Sequence, residues 1–248
     1  LNNTKGTAAA AVTAAAGIVA GYIFPPVCPV CGGLLASGEG AVHRDCLDRL
    51  SFVRAPACSC CGRQIITGHQ RLCYDCSHSP RHFIRNFPAL NYDDTARRII
   101  ADLKYRNRRG HAAFLGRLMA CCYREELAGA HIDCIVPVPI SESRRRDRRY
   151  NQAELIADAL GEELSLPVNP HILIRSKKTK AMKELGAGDR LTEIKNAIEA
   201  GDIPDGIKRV LIVDDIYTTG ATMEACAYIL WQKGIESYAA CACIGSDY

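Results

Sequence analysis

One spacing rule among the cysteines limits what this chain can fold into. Cys28-x2-Cys31 is followed after eleven residues by His43-x2-Cys46, and Cys58-x2-Cys61 is followed after eleven residues by Cys73-x2-Cys76. Each position of the second set lies 30 residues beyond its counterpart, and Gly32 and Gly62 repeat with them. Two knuckles, each presenting two soft donors, supply the four ligands that a tetrahedral Zn2+ takes. A glycine directly after the second ligand suits a knuckle turn that needs positive φ. His43 stands in the slot that Cys73 fills, so the register makes it an imidazole ligand of a Cys3His site. The eight ligands are then Cys28, Cys31, His43, Cys46, Cys58, Cys61, Cys73 and Cys76, and Cys60 falls outside the pattern. Both sites are closed to an activated water, so two structural zinc ions are expected. Spacing leaves cross-bracing open; the short loops favour pairing within each repeat.

Composition adds the surroundings. The chain has 248 residues, 48% hydrophobic and 23% charged, which excludes a disordered tail or a fibre. Its net charge of +4 is too mild to specify nucleic acid. Eight of its 14 cysteines fall between Cys28 and Cys76, and a disulfide scaffold would spread them more evenly. A reducing, cytoplasmic setting is therefore expected. Residues 8–24 are an alanine-heavy apolar run, short of the roughly 20 residues of a bilayer span. They read as a docking helix or lead-in; membrane association is disfavoured but open there. The expected plan is an apolar lead-in (1–24), a double zinc ribbon (25–80) and a larger α/β domain (81–248).

Beyond Pro80, strand and helix patterns alternate. Ala96, Ile99, Ile100 and Leu103 fall at helical spacing within 93–104, and 114–127 and 151–160 read as further helices. Residues 132–138 form a short apolar run ending in Pro-Val-Pro, a buried strand with an abrupt stop. Residues 210–213 form a second apolar strand, followed by a helix over about 221–233 with Gly234 as its stop and a last strand over 237–244. This alternation predicts a parallel sheet covered by helices.

The chemistry lies where the 210–213 strand ends. Asp214 and Asp215 precede Thr218-Thr219-Gly220-Ala221-Thr222, which opens a helix. Such a turn offers successive main-chain N–H groups, hydroxyls and the positive end of a helix to an anion. The two carboxylates beside it can accept hydrogen bonds from sugar hydroxyls, so a phosphosugar is the expected ligand.

Residues 210–222, Val-Leu-Ile-Val-Asp-Asp-Ile-Tyr-Thr-Thr-Gly-Ala-Thr, resemble the PRPP-binding motif of type I phosphoribosyltransferases. The Val136-Pro137-Val138-Pro139 turn, the arginine run and Arg149-Tyr150-Asn151-Gln152-Ala153 are similar to the ComF family of competence-associated proteins. That family joins a zinc ribbon to a phosphoribosyltransferase domain. The resemblance implies that Asp214 and Asp215 hold ribose hydroxyls and that Thr218, Thr219, Gly220, Ala221 and Thr222 bind the 5-phosphate. Val138, Pro139, Arg144, Arg148 and Arg149 would face pyrophosphate, with Mg2+ bridging PRPP oxygens. Residues 175–190 resemble the family's mobile loop, with Arg190 and Asn196 closing the pattern. Met182 stands where the family has Gln, and Thr218 where purine-salvage members carry an acid.

Five arginines in the six residues 144–149 leave two roles beside a solvated surface. They can neutralise departing pyrophosphate, or, with Lys104, Arg106, Arg108 and Arg109, follow a nucleic-acid backbone while Tyr105 and Tyr150 stack on bases. The resemblance thus implies a phosphoribosyltransferase linked to DNA uptake. Its alternative is a non-catalytic factor that handles single-stranded DNA beside DNA-uptake proteins and keeps PRPP as regulator or relic.

Overall fold

A computed structural model describes residues 26–36, 38, 40–65, 70–175 and 197–245. The apolar lead-in at 1–24 and residues 176–196, which include Met182, Arg190 and Asn196, lie outside the described residues. The chain divides into two compact units, Leu1–Arg49 and Leu50–Tyr248. The first ligand set belongs to one unit and the second to the unit that holds the sheet, so compactness divides the chain earlier than the motif boundary near residue 80.

In the first unit, Val27 and Leu34 form an antiparallel bridge. Cys28 N–H donates to Gly33 O (2.8 Å) and Gly32 N–H to Cys28 O (2.8 Å), with Gly32 at φ +76°. Helix α1 (Arg44–Leu47) is a single turn that carries Cys46.

The second unit opens with the same backbone, 30 residues on. Ala57 bridges Gln64, Cys58 N–H donates to Arg63 O (2.7 Å), Gly62 N–H donates to Cys58 O (2.9 Å), and Gly62 has φ +76°. Helix α2 (Tyr74–His78) carries Cys76. The repeat read in the sequence is therefore a repeat of hydrogen bonds. This second knuckle is pressed against β1 (Asn86–Asn91): Asn86 donates from its main chain to Cys60 O (2.7 Å) and from its side chain to Cys61 O (2.9 Å). A Cβ on Gly62 would fall 2.4 Å from Pro88, whereas one on Gly32 would meet nothing within 4 Å.

Helices α3 (Asp94–Tyr105) and α4 (Gly110–Gly129) follow, then β2 (Cys134–Pro137), α5 (Glu142–Arg148) and α6 (Gln152–Leu164). A short antiparallel pair, β3 (Leu173–Arg175) with β4 (Ile198–Ala200), precedes β5 (Arg209–Tyr217), α7 (Ala221–Gln232) and β6 (Glu236–Ile244). The main sheet has the order β1-β6-β5-β2 and is parallel throughout. Val210, Leu211, Ile212 and Val213 are fully buried because both sheet faces are covered, which is why they read as an unbroken apolar run. Asp93 caps α3 by accepting from Ala96 N (2.8 Å), and Ala96, Ile99, Ile100 and Leu103 are the face it buries. Asn151 caps α6 in the same way, accepting from Ala153 N (3.1 Å).

Both sheet edges are covered. Residues 51–53 bond along β1 and residues 167–169 along β2, which hides the donors and acceptors an open edge would present. Because β2 and β5 are parallel neighbours, the turns that follow them leave from the same end of the sheet. Ligands of open α/β sheets gather at that end.

Candidate functional site

Two ligand sets come together within the repeats. In each, the four donor atoms lie within 4.8 Å of one another: Cys28, Cys31, His43 and Cys46 in one, Cys58, Cys61, Cys73 and Cys76 in the other. A tetrahedral zinc–thiolate site has ligand–ligand edges of about 3.8 Å, so both sets fit the ion. Cys61 Sγ is 3.6 Å from Cys73 Sγ, and Cys31 Sγ is 3.2 Å from His43 Nδ1. His43 Nε2 lies 3.0 Å from Leu34 O. A proton on Nε2 donated to that carbonyl leaves the Nδ1 lone pair facing the thiols, the orientation a neutral imidazole ligand needs. Pairing is thus within repeats, as the short loops favoured, and Cys60 stands outside both sets.

Also within the second unit, Asp214 and residues 216–223 line a cavity of about 150 Å3. It gathers Asp214, Thr218, Thr219, Gly220, Ala221 and Thr222, and α7 begins there with Gly220 at φ +76° as its first cap residue. Thr219 Oγ1 accepts from Ala221 N (3.4 Å). The N–H groups of the first turn of this twelve-residue helix open toward the cavity, where a negative charge is favoured.

The acidic pair differs from the sequence expectation in one respect. β5 does not stop at Val213 but continues through Tyr217, paired with β6 at Asp214, Ile216 and Tyr217. Alternation along a strand sends successive side chains to opposite faces. Asp214 therefore lines the cavity and accepts from Asp215 N (2.8 Å), while Asp215 forms an ion pair with Lys104 (2.8 Å). Burial, then the neighbouring Asp215 carboxylate, raises the Asp214 pKa to about 7, against the pull of Lys104 and Arg144.

Lys104 in turn lines a larger cleft of about 550 Å3 with Tyr105, Asn107, Arg144, Asp147, Arg148, Arg149 and Tyr150. The arginine run is a helix, α5, capped by Ser141, and it sorts its cations. Arg144, Arg148 and Arg149 line the cleft, whereas Arg145 turns to Glu154 (2.9 Å). Arg148 also donates to Gln152 (3.1 Å) and lies over the Tyr105 ring, 5.4 Å from its centroid. Val138 and Pro139 line neither cavity; their turn is fixed by Val138 N–H on Val213 O (2.9 Å) and Asn151 Nδ2 on Val138 O (2.9 Å). Tyr150 corrects the stacking expectation. Its ring is buried under Arg109 and its hydroxyl donates to Leu103 O, so it has no open face for a base; Tyr105, 75% exposed, does.

Sequence reasoning missed Arg63, Arg81, His82 and Glu224. Arg63 is buried, donates to Asp75 (3.1 Å) and reaches Thr218 O (2.9 Å). Arg81 donates to Thr219 O (3.3 Å), and the His82 main chain and ring both meet Glu224 (3.0 and 2.5 Å). The sequence offers one sign of this arm: Arg63 stands where the first repeat has Gly33.

The double zinc ribbon domain family covers residues 19–77. Competence protein F of Haemophilus influenzae is 27% identical over 216 residues, 84% of this chain and 92% of that protein. DNA utilization protein YhgH of Escherichia coli is 27% identical over 213 residues, 85% and 92% of the two chains. The adenine phosphoribosyltransferase of Saccharomyces cerevisiae is a similar solved structure, with a TM-score of 0.34 and 17% identity over 57% of this chain and 73% of that one. Among the described residues no helix is long and apolar enough to cross a membrane. The chain is ComF-like: an N-terminal double zinc ribbon followed by an α/β region with a four-stranded parallel sheet.

Proposed function

We propose that the protein binds PRPP with Mg2+ and is built for phosphoribosyl transfer in a pathway of DNA uptake or use. The observation that carries this reading is the cavity where Asp214 meets the N-terminus of α7 across Thr218, Thr219, Gly220, Ala221 and Thr222. Main-chain amides there suit a 5-phosphate, and Asp214 suits ribose hydroxyls. Lys104, Arg144, Arg148 and Arg149 stand beside it and would take up negative charge as the C1–O bond to pyrophosphate breaks. Asp215 would hold Lys104 in place, and Val138 and Pro139 would shape the turn facing pyrophosphate. Mg2+ takes hard oxygen ligands with one or two carboxylates, a set that Asp214, Asp215 and the substrate's phosphates can offer. The ion would supply charge neutralisation on pyrophosphate. The chain's own part is positioning: fixing the sugar so that a nitrogen nucleophile meets C1.

A second reading rests on the cationic cleft. Its exposed Tyr105 and its arginines suit single-stranded DNA, and the relatives' names speak of competence and DNA utilization. Calorimetric titration of PRPP with and without Mg2+ tests the first reading: Mg2+-dependent heat that Asp214→Asn removes is expected. Absence of heat in the native protein, together with DNA affinity that falls steeply with salt, would refute it and leave the second.

A further inference from the structure

The two ribbons share a backbone but not their surroundings, and the difference points at the anion cavity. Where the first repeat has Gly33, the second has Arg63. Asp75, in the helical turn between Cys73 and Cys76, holds that guanidinium from behind at 3.1 Å. Its other nitrogen donates to the main-chain oxygen of Thr218, 155 residues away. Arg81, just beyond the last ligand, repeats the contact one residue on by donating to Thr219 O. Next to it, His82 grips Glu224 in the first turn of α7 with both its main-chain N–H and its ring.

Two consecutive peptide units of the anion turn are thus held by their carbonyls from the ribbon side. A trans peptide is planar, with its C=O and N–H pointing in opposite directions. A cation fixed on the Thr218 and Thr219 oxygens therefore turns the N–H groups of Thr219 and Gly220 the other way. Hydrogen bonding at the oxygen also polarises each amide and strengthens its N–H as a donor.

We infer that the second zinc ribbon is a positioning element for the phosphate turn: the metal-fixed knuckle holds Arg63 and Arg81, and these set the direction of the amides that receive the anion. Zinc in the second site, and not in the first, then governs affinity at the cavity. The identity of the anion rests on the PRPP reading; the ordering of the turn does not.

The experiment uses the full zinc-loaded chain with Arg63→Met, Arg63→Lys and Arg81→Met, each checked for two bound zinc ions. Hydrogen exchange of residues 218–224 and PRPP titration with Mg2+ are read together. Expected are faster exchange across that segment in Arg63→Met, a tenfold or greater loss of PRPP affinity, and partial recovery of both in Arg63→Lys, which keeps a single cationic donor nitrogen. A His43→Ala chain, altered in the first ribbon alone, should exchange there as the native protein does. Unchanged exchange in Arg63→Met and Arg81→Met overturns the inference, as does native PRPP affinity in both. If the native protein ignores PRPP, the function proposed above falls and exchange alone decides this one. If Arg63→Met loses zinc, Arg81→Met and Arg63→Lys carry the comparison.

Discussion

Gly220→Ala offers a sharp test of how tightly the anion turn is built. Gly220 has φ +76°, and an added Cβ would fall 2.1 Å from the Tyr217 hydroxyl, 2.3 Å from its Cζ and 2.7 Å from its Cε2. The ring cannot swing aside cheaply. Tyr217 is buried, continues β5 opposite Ile244, and packs edge-on against Phe83 with ring centroids 6.3 Å apart. Left-handed backbone costs a non-glycine residue about 1–2 kcal/mol, and overpacking adds about 1–3 kcal/mol. A total of about 3 kcal/mol corresponds to a fall of roughly 6–12 °C in the melting temperature of a chain this size. Gly234 is the internal control. It has nearly the same φ, +75°, but nothing lies within 4 Å of its would-be Cβ, so Gly234→Ala should show the backbone cost alone. Tyr217→Ala should make Gly220→Ala nearly as mild as Gly234→Ala. Thermal unfolding of the four zinc-loaded variants reads this out. Equal losses for Gly220→Ala and Gly234→Ala, or no rescue by Tyr217→Ala, would refute a turn wedged on the Tyr217 ring.

Plasma emission analysis should find two zinc ions per chain, one after His43→Ala and two after His43→Cys; a single zinc in the native protein would remove the tandem assignment. Lys104→Met should cost about 2–4 kcal/mol in urea unfolding by leaving the Asp215 carboxylate without its ion pair, while Lys104→Met with Asp215→Leu should cost much less. The Asp214 carboxyl ionises near 7 in the native state against an ordinary 3.8, so between those values the native chain keeps a proton the unfolded chain has lost. Stability should then fall as pH rises from about 4 to 7 and level off above, and Asp214→Asn should flatten that slope; an unchanged slope would clear Asp214 of the effect. Affinity for PRPP should run the other way, rising through pH 7 as the acceptor carboxylate forms.

What could be read from the sequence was whatever local chemistry dictates. Ligand spacing follows from the tetrahedron around the ion, and so the 30-residue register carried over to bridges, knuckle hydrogen bonds and helical turns alike. The apolar run at Val210, Leu211, Ile212 and Val213 and the face formed by Ala96, Ile99, Ile100 and Leu103 declared themselves by burial on two sides or one. Strand β1 was hidden by Pro88, which argues against a central strand; β1 is the outermost strand of its sheet. Helix α5 was hidden because a run of like charges reads as solvated surface. The facing of Asp214 and Asp215 was hidden too, since only pairing with β6 extends β5 past Val213.

Long-range contacts explain the remainder, and Arg63 shows why. An arginine has about 2 kcal/mol of rotamer entropy to lose, so a guanidinium on a mobile loop would be a poor support for a main-chain oxygen. Here the stem is short of freedom at both ends. Its main-chain oxygen is tied to Cys58 N in the knuckle, and its head is held by Asp75 between two cysteine ligands. Zinc on those ligands would convert a small module, with few large apolar side chains of its own, into a rigid mount. Rigidity gives direction to the bond on Thr218. The first repeat, with Gly33 in that register and open space around Gly32, has the same mount and no arm.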